Sequence, residues 1–481
     1  MKNRIVFSKY CQGASHKPDK RCEDFANHFN SDEFDIITIS DGHGDKKCFR
    51  SYRGAQIATY IAIETLKTFC KDADFSELLG TEDIIKVPIA KEADVKSPEL
   101  EYVMRHVFQH ICSQWHQKIE EDFNANPCSD EELAFLHKEE VKGRSLYDYY
   151  FDNSGSYIPD TFPSIYGCTL FGVAVTKEGY WIGFHIGDGQ CMTFYENGGW
   201  DMPIPWDERC ILNITTSLSH FGDESFRYCI GRQAPAAIFI ASDGMDDSFA
   251  PMEELAFEYA TRFLASLALY GDVSTAANLA QRLDKISENY SRDDMSIAYI
   301  VAREELTELL KNYIEKEEPR LRKDYETLSE EAEKKSKEYN TQLQTKNDLM
   351  KEQERVKNEL NELERKGSEL QCESDAIEEE LKKKERGRNR FLEQCKMIFT
   401  GNTDWIEEKK EKLKSLFTEI NELVNQYDKC GEKIKECEIN LSSIQTHIPI
   451  LKKHAREAER ELNTVKNKLE RIDKIKRGLK I

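Results

Sequence analysis

Ile36-Ile37-Thr38-Ile39-Ser40-Asp41-Gly42-His43-Gly44 is a β-branched apolar run that ends on a carboxylate. Such a run fits a buried strand, and the glycine after it lets the backbone approach a ligand closely. Two more runs end the same way: Tyr180 to Ile186 leads into Gly187-Asp188-Gly189, and Ile238-Phe239-Ile240 leads into Asp243-Gly244. Cys22-Glu23-Asp24 and Arg292-Asp293-Asp294 flank further strand-like stretches. Each acidic turn alone is an ordinary solvated turn. Together, on rigid strand ends, they form the hard-oxygen cage that Mg²⁺ or Mn²⁺ prefers. The pattern predicts a metal-dependent hydrolase.

Working outward, strands are expected at 4–9, 34–40, 169–176, 180–186, 190–195, 237–241 and 295–301, and helices at 53–71, 98–124, 129–138, 251–270 and 275–287. Val103, Val107, Ile111, Trp115 and Ile119 recur at fours, which makes an apolar stripe on the second helix. Strands that come as hairpins, with helices between them, predict an α+β fold of antiparallel sheets covered by helices. Residues 72–97 and 139–168 read as irregular.

The chain has 481 residues and a net charge of −21. Residues 1–302 hold 28 Lys and Arg against 48 Asp and Glu, whereas residues 303–481 hold 40 against 41. An acidic front half argues against nucleic-acid binding, which needs a basic face. The 14 cysteines form no CxxC pair and read as reduced thiols. No apolar run reaches membrane-spanning length, and no signal-peptide core precedes the first strand. The expected setting is cytoplasmic, with no membrane and no nucleic-acid partner.

From Arg303 glycine becomes rare, and Lys, Glu and Leu dominate. Leu349, Val356, Leu363, Leu370 and Ile377 hold one heptad position in register. A second apolar series runs from Leu416 to Leu479. Between them, Gly401 is a helix stop and Asp404 with Glu407 forms a capping-box pattern. Near-equal arms about that turn predict an antiparallel helical hairpin, with a parallel homodimeric coil as the other reading. Pro319 interrupts the pattern once, and Pro449 is expected to kink the second arm. The expected domains are 1–302, a linker helix over 303–320, and a coiled coil over 321–481 with its turn near 399–404.

The order of motifs in residues 1–302 resembles the metal-dependent protein phosphatase family of the protein phosphatase 2C type, and its bacterial-like subgroup in particular. The matching stretches are Gly13-Ala14-Ser15-His16 with Cys22-Glu23-Asp24, Ile39 to Gly44, Tyr166-Gly167-Cys168-Thr169-Leu170, Ile186 to Gly189, Ala241 to Asp247, and Arg292 to Ser296. The resemblance implies a β-sandwich flanked by helices, an αββα build, with a two-metal centre at one end. It implies that Asp41 bridges two ions, helped by the Gly42 carbonyl. Asp243 and Asp293 would complete one shell, and Glu23 and Asp24 would serve the other. A water shared by two Mg²⁺ or Mn²⁺ ions would attack phosphorus, with His43 supplying the proton to the departing serine or threonine oxygen.

Three departures stand out. The family's phosphate-holding arginine has its place near Asp19, with Lys17, Lys20 and Arg21 around it, and Arg21 is chosen because a guanidinium grips phosphate bidentately. Ser164 stands where many members carry an aspartate for a third metal, although Asp247 matches another ligand of that ion. The turn Gly187-Asp188-Gly189-Gln190 differs from the usual pattern, which assigns Asp188 first to a structural turn and only second to a metal ligand. The expected substrate is a phosphoprotein, and the coiled coil is expected to dock a protein partner or a second copy. The alternative is a catalytically weak scaffold that acts through the coil. The intact acidic set argues against it.

Overall fold

The computed structural model describes residues 3–16, 20–88, 98–210, 214–220, 226–394 and 403–481. Its strands in chain order are β1 (Arg4–Cys11), β2 (Phe25–Asn30), β3 (Phe34–Ser40), β4 (Ile84–Val87), β5 (Glu140–Val141), β6 (Arg144–Ser145), β7 (Leu170–Thr176), β8 (Trp181–Ile186), β9 (Gln190–Phe194), β10 (Trp200–Asp201), β11 (Arg227–Gly231), β12 (Ala237–Ala241) and β13 (Met295–Ala302). One sheet runs β2-β3-β7-β8-β11-β4 and the other β1-β13-β12-β9-β10, with β5 and β6 as a separate hairpin. Every strand pairing among the described residues is antiparallel.

All seven residues of β3 are buried, because both faces of its sheet are covered. Ile37 and Ile39 point between the sheets, where they meet Phe171, Val173, Ile238, Ile240 and Ile300. Ile36, on the opposite face, packs into the layer that includes Ala58, Leu66, Met104, Ile111 and Trp115. Those side chains come from α1 (Ser51–Asp72) and α3 (Pro98–Ala125), with α2 (Phe75–Leu79) between them. The expected stripe on α3 is visible in the burial of Ile111, Trp115 and Ile119, and Trp115 Nε1 donates to the Gly54 carbonyl at 3.0 Å. After α4 (Asp130–Lys138), α5 (Leu146–Tyr150) and α6 (Asp243–Asp246), the outer face of the second sheet is covered by α7 (Met252–Glu258), a π-helical turn over Tyr259–Leu264, and α8 (Ala265–Asn289). Phe239 of β12 stacks on Tyr259 there at 4.4 Å. The build is αββα.

Two expectations need correction. The stretches 72–97 and 139–168 are not wholly irregular. They hold α2 and β4, and β5, β6, α5 and a 3₁₀ turn at Phe162–Tyr166. Elements of two to five residues carry no readable periodicity, and β4 exists because β11 offers it a pairing edge. Pro319 also interrupts no helix: α9 (Leu306–Gln394) begins before it and passes through it. Burial of Leu309, Leu310, Tyr313 and Ile314 ahead of the proline and Leu321 after it offsets the missing hydrogen bond. Helix α10 (Thr403–Leu479) holds Pro449, the site of the expected kink, within it. Of the turn expected near 399–404, residues 399–402 lie outside the described residues.

The chain divides into two compact units, residues 1–320 with 469–481, and residues 321–468. In the first, Tyr313 meets Phe194 at 6.0 Å and Asn312 Nδ2 donates to the Glu196 carbonyl at 2.8 Å. Ile472 and Ile475 are buried in the same unit, and Lys476 pairs with Glu318 at 2.8 Å. In the second, Lys409 pairs with Glu380, Lys412 with Glu373, Tyr427 with Glu364 and Gln353 with Glu438. These partners recede along α9 as they advance along α10. Ile377, Leu381, Ile406 and Leu416 form the apolar cluster between them.

Candidate active site

Five strand ends and the loops they feed meet at one end of the sandwich. Cys11 of β1 pairs with Met295 of β13, Phe25 of β2 with Ser40 of β3, and Gln190 of β9 with Ala241 of β12. The loops before Phe25 and after Ser40, Ile186 and Ala241 therefore open on the same side as the loop before Met295. Asp41 is fixed through its backbone: its N–H donates to Thr169 Oγ1 at 2.9 Å, and its carbonyl accepts from the Thr169 N–H at 2.8 Å. Gly42 passes so close to the Glu23 carbonyl that a Cβ on it would lie 2.8 Å from that oxygen, which is why glycine stands there. Gly187 holds φ at 124°, a conformation that other residues rarely adopt, and so turns the chain to place Asp188.

Carboxylate oxygens of Asp41, Asp188 and Asp243 all lie within 4.8 Å of one another. Sequence reasoning assigned Asp188 to a turn. It does sit in a turn, and that turn delivers its carboxylate to the other two. The strand-then-aspartate signal of Tyr180 to Asp188 was already the sign of it. Burial, and then the charges of Asp24 and Asp243, push Asp41 far above the usual carboxylate range. Burial followed by Asp188 and Asp24 does the same to Asp243. Asp24 is buried and raised to about 6, its carboxylate accepting from Ser242 Oγ at 2.6 Å. Carboxyls crowded out of water in this way ionise fully only against a cation. The donor set, all hard oxygen, fits a divalent ion such as Mg²⁺ or Mn²⁺.

The remaining expected residues are spread around that cluster. Glu23 is half-buried, accepts from Ser51 Oγ at 3.1 Å, and pairs with Lys20 at 2.5 Å. Asp293 is about half exposed and stands outside the three-carboxylate group, reaching Asp243 only as a like-charge neighbour. Asp247 is exposed, next in line after α6, with Asp293 as its charged neighbour. Ser164 Oγ bonds the Thr161 carbonyl. His43 donates its backbone N–H to the Gly167 carbonyl at 3.0 Å. Burial and the nearby His220 lower its imidazole to about 4, so it is neutral near pH 7. Arg21 Nη1 donates to Tyr52 OH at 2.7 Å, and its guanidinium lies 5.0 Å over that ring. Arg21 and Tyr52 stand with Lys20, Glu23 and Gly44 around a cavity of about 570 Å³. Lys17, weighed beside Arg21, lies outside the described residues.

An antiparallel sandwich between helices, with its acidic side chains gathered at one end, has the build of a protein phosphatase. Residues 12–286 match the protein phosphatase 2C family, and the chain belongs to that family. No curated protein matches it. Among solved structures it is similar to a bacterial serine phosphatase, with 14% identity over 63% of this chain and 100% of that one, at a TM-score of 0.34. It is similar to RsbX in complex with magnesium, with 10% identity over 62% and 94% of the two chains, at a TM-score of 0.30. A phosphatase from Toxoplasma gondii aligns with 9% identity over 62% and 92%, at a TM-score of 0.31. Among the described residues, no helix is long and apolar enough to cross a membrane.

Proposed function

We propose that this phosphatase hydrolyses phosphoserine and phosphothreonine in proteins, using two divalent cations, Mg²⁺ or Mn²⁺, at the acidic end of the sandwich. The observation that carries the reading is the convergence of Asp41, Asp188 and Asp243 within 4.8 Å. Asp41, assisted by the Gly42 carbonyl, would serve both cations. Asp243 and Asp188 would hold one, with Asp293 near it, and Glu23 and Asp24 would hold the other. Bound there, the cations supply charge neutralisation of the phosphoryl group and a water acidified for in-line attack.

The chain's own groups do the rest. Arg21, steadied by Tyr52, grips the phosphate oxygens at the rim of the 570 Å³ cavity. The imidazole of His43, neutral near pH 7, hydrogen-bonds through its N–H to the departing serine or threonine oxygen, and that oxygen ends with the proton released by the attacking water. Ser242 orients Asp24 by donating to it. Asp247 is the residue that matches a ligand of a third, weaker ion. The phosphatase domain is read as residues 1–302, with the helical roots 303–320 and 469–481 packed into the same compact unit, and the coiled coil as the rest of 321–481. That arm docks a protein partner or a second copy and stays out of the chemistry. The scattered cysteines, which form no CxxC pair in the sequence, support a reducing cytoplasmic setting.

The test is hydrolysis of an aryl phosphate with Mn²⁺ or Mg²⁺. Activity that disappears with chelator and with Asp243→Asn supports the proposal. A folded chain that is inactive with every divalent ion overturns it.

A further inference from the structure

His16 lies in the loop after β1, and nothing above gives it a role. Its Nδ1 is 2.9 Å from Asp294 Oδ1. Asp294 is buried, and its acceptor positions are already in use: Oδ1 also accepts from the Gly13 N–H at 2.6 Å, and Oδ2 accepts from the Glu23 N–H at 2.7 Å. A carboxylate so placed takes a proton donor from the imidazole, which puts a hydrogen on Nδ1 and turns Nε2 away from Asp294. That nitrogen lies 3.4 Å from the Lys20 ammonium, and the same ammonium is 2.5 Å from Glu23 Oε2. Asp293 Oδ1 lies 3.7 Å from Nε2 on another side. Ligand atoms of His16, Glu23 and Asp294 fall within 4.8 Å of one another, apart from the Asp41 group.

We propose that His16 Nε2 is a direct ligand of the cation that Glu23 serves, with Asp294 as the carboxylate behind the imidazole. A histidine that binds metal through one nitrogen ordinarily donates its other N–H to such a carboxylate. Of the three grouped side chains, Asp294 is committed to Gly13, Glu23 and His16, which leaves Glu23 and His16 to bind. Lys20 marks the place: a positive charge already sits where the imidazole nitrogen and the carboxylate converge. Its side chain is 41% exposed on a flexible stem, and it lines the adjoining cavity, so it has room to yield to a divalent ion. The inference rests on the two-cation reading and sharpens it. One site is all oxygen, and the other mixes nitrogen with oxygen and therefore favours Mn²⁺ over Mg²⁺.

The experiment is a Mn²⁺ titration of the full chain by calorimetry, followed by pulsed electron paramagnetic resonance of the loaded protein. Two bound Mn²⁺ with a directly coordinated ¹⁴N signal are expected, and that signal should change to a ¹⁵N pattern when histidine is ¹⁵N-labelled. In His16→Gln the nitrogen signal should vanish and the affinity of one site should fall about 10-fold or more. Lys20→Met should tighten the same site by removing its competitor. Two bound Mn²⁺ with no nitrogen signal in the native chain overturn the proposal while leaving the two-cation reading intact, and a signal that persists in His16→Gln overturns it too. Absence of any Mn²⁺ binding overturns the two-cation reading and this inference with it.

Discussion

Arg471, eight residues before the end of the last helix, donates from Nη1 to Glu258 Oε1 at 2.5 Å, at the end of α7. The same nitrogen reaches Thr261 Oγ1 at 3.1 Å, and the guanidinium lies over Phe257. Glu258 is buried, and Arg262 also pairs with it. Arg471→Ala removes one paired cation from a desolvated carboxylate. The expected loss is about 1–3 kcal/mol, read as a lower thermal midpoint of the full chain.

The two roots of the helical arm belong to the unit that holds the acidic cluster. A chain ending at Ala302 loses the burial of Leu306, Leu309, Leu310, Tyr313 and Ile314, along with Ile472 and Ile475. That truncation should melt well below the full chain. Excising 321–468 and joining Arg320 to Leu469 by a short flexible linker should keep both the fold and aryl phosphatase activity. Equal midpoints for the Ala302 truncation and the excised form would contradict this.

Asp188 belongs with Asp41 and Asp243. Asp188→Ala should weaken divalent-ion affinity by about 10-fold or more and lower activity at limiting Mn²⁺, with partial recovery at high Mn²⁺. A residue that only shapes a turn would leave the Mn²⁺ titration midpoint where it is.

Burial raises Asp246 to about 8, and among the described residues its Oδ1 has no hydrogen-bond partner. Between an unfolded value of about 4 and that folded value, the folded chain binds more protons than the unfolded one. Stability therefore falls as pH rises through the window. Asp246→Asn removes this dependence. Chemical denaturation should show a gain of about 1–3 kcal/mol at pH 8 and almost none at pH 4.

Much of the site was legible because strand ends announce themselves. The runs before Asp41, Asp188 and Asp243 are β-branched or aromatic, and each stops on a carboxylate. What was hidden depends on contacts distant in sequence. Strand β2, with Asn27, His28 and Asn30, has weak strand propensity and exists through its pairing with β3. Strand β11 lies between β8 and β4, with no local signal that survives its five residues. Asp188 reads first as a turn residue because Gly189-Gln190 depart from the family pattern, and the Gly187 turn brings it to Asp41 and Asp243. His16 could be found only through Asp294, 278 residues away. Pro319 was read as a break because local sequence cannot show what packs on either side of it.

The most direct test is release of inorganic phosphate from a phosphothreonine peptide, in ¹⁸O-labelled water, as Mn²⁺ is titrated into the native chain and into Asp41→Asn. Turnover that rises with Mn²⁺, places one ¹⁸O in the product phosphate, and falls at least about 100-fold in Asp41→Asn is the predicted result. Metal-independent turnover, or full activity in Asp41→Asn, would contradict the account.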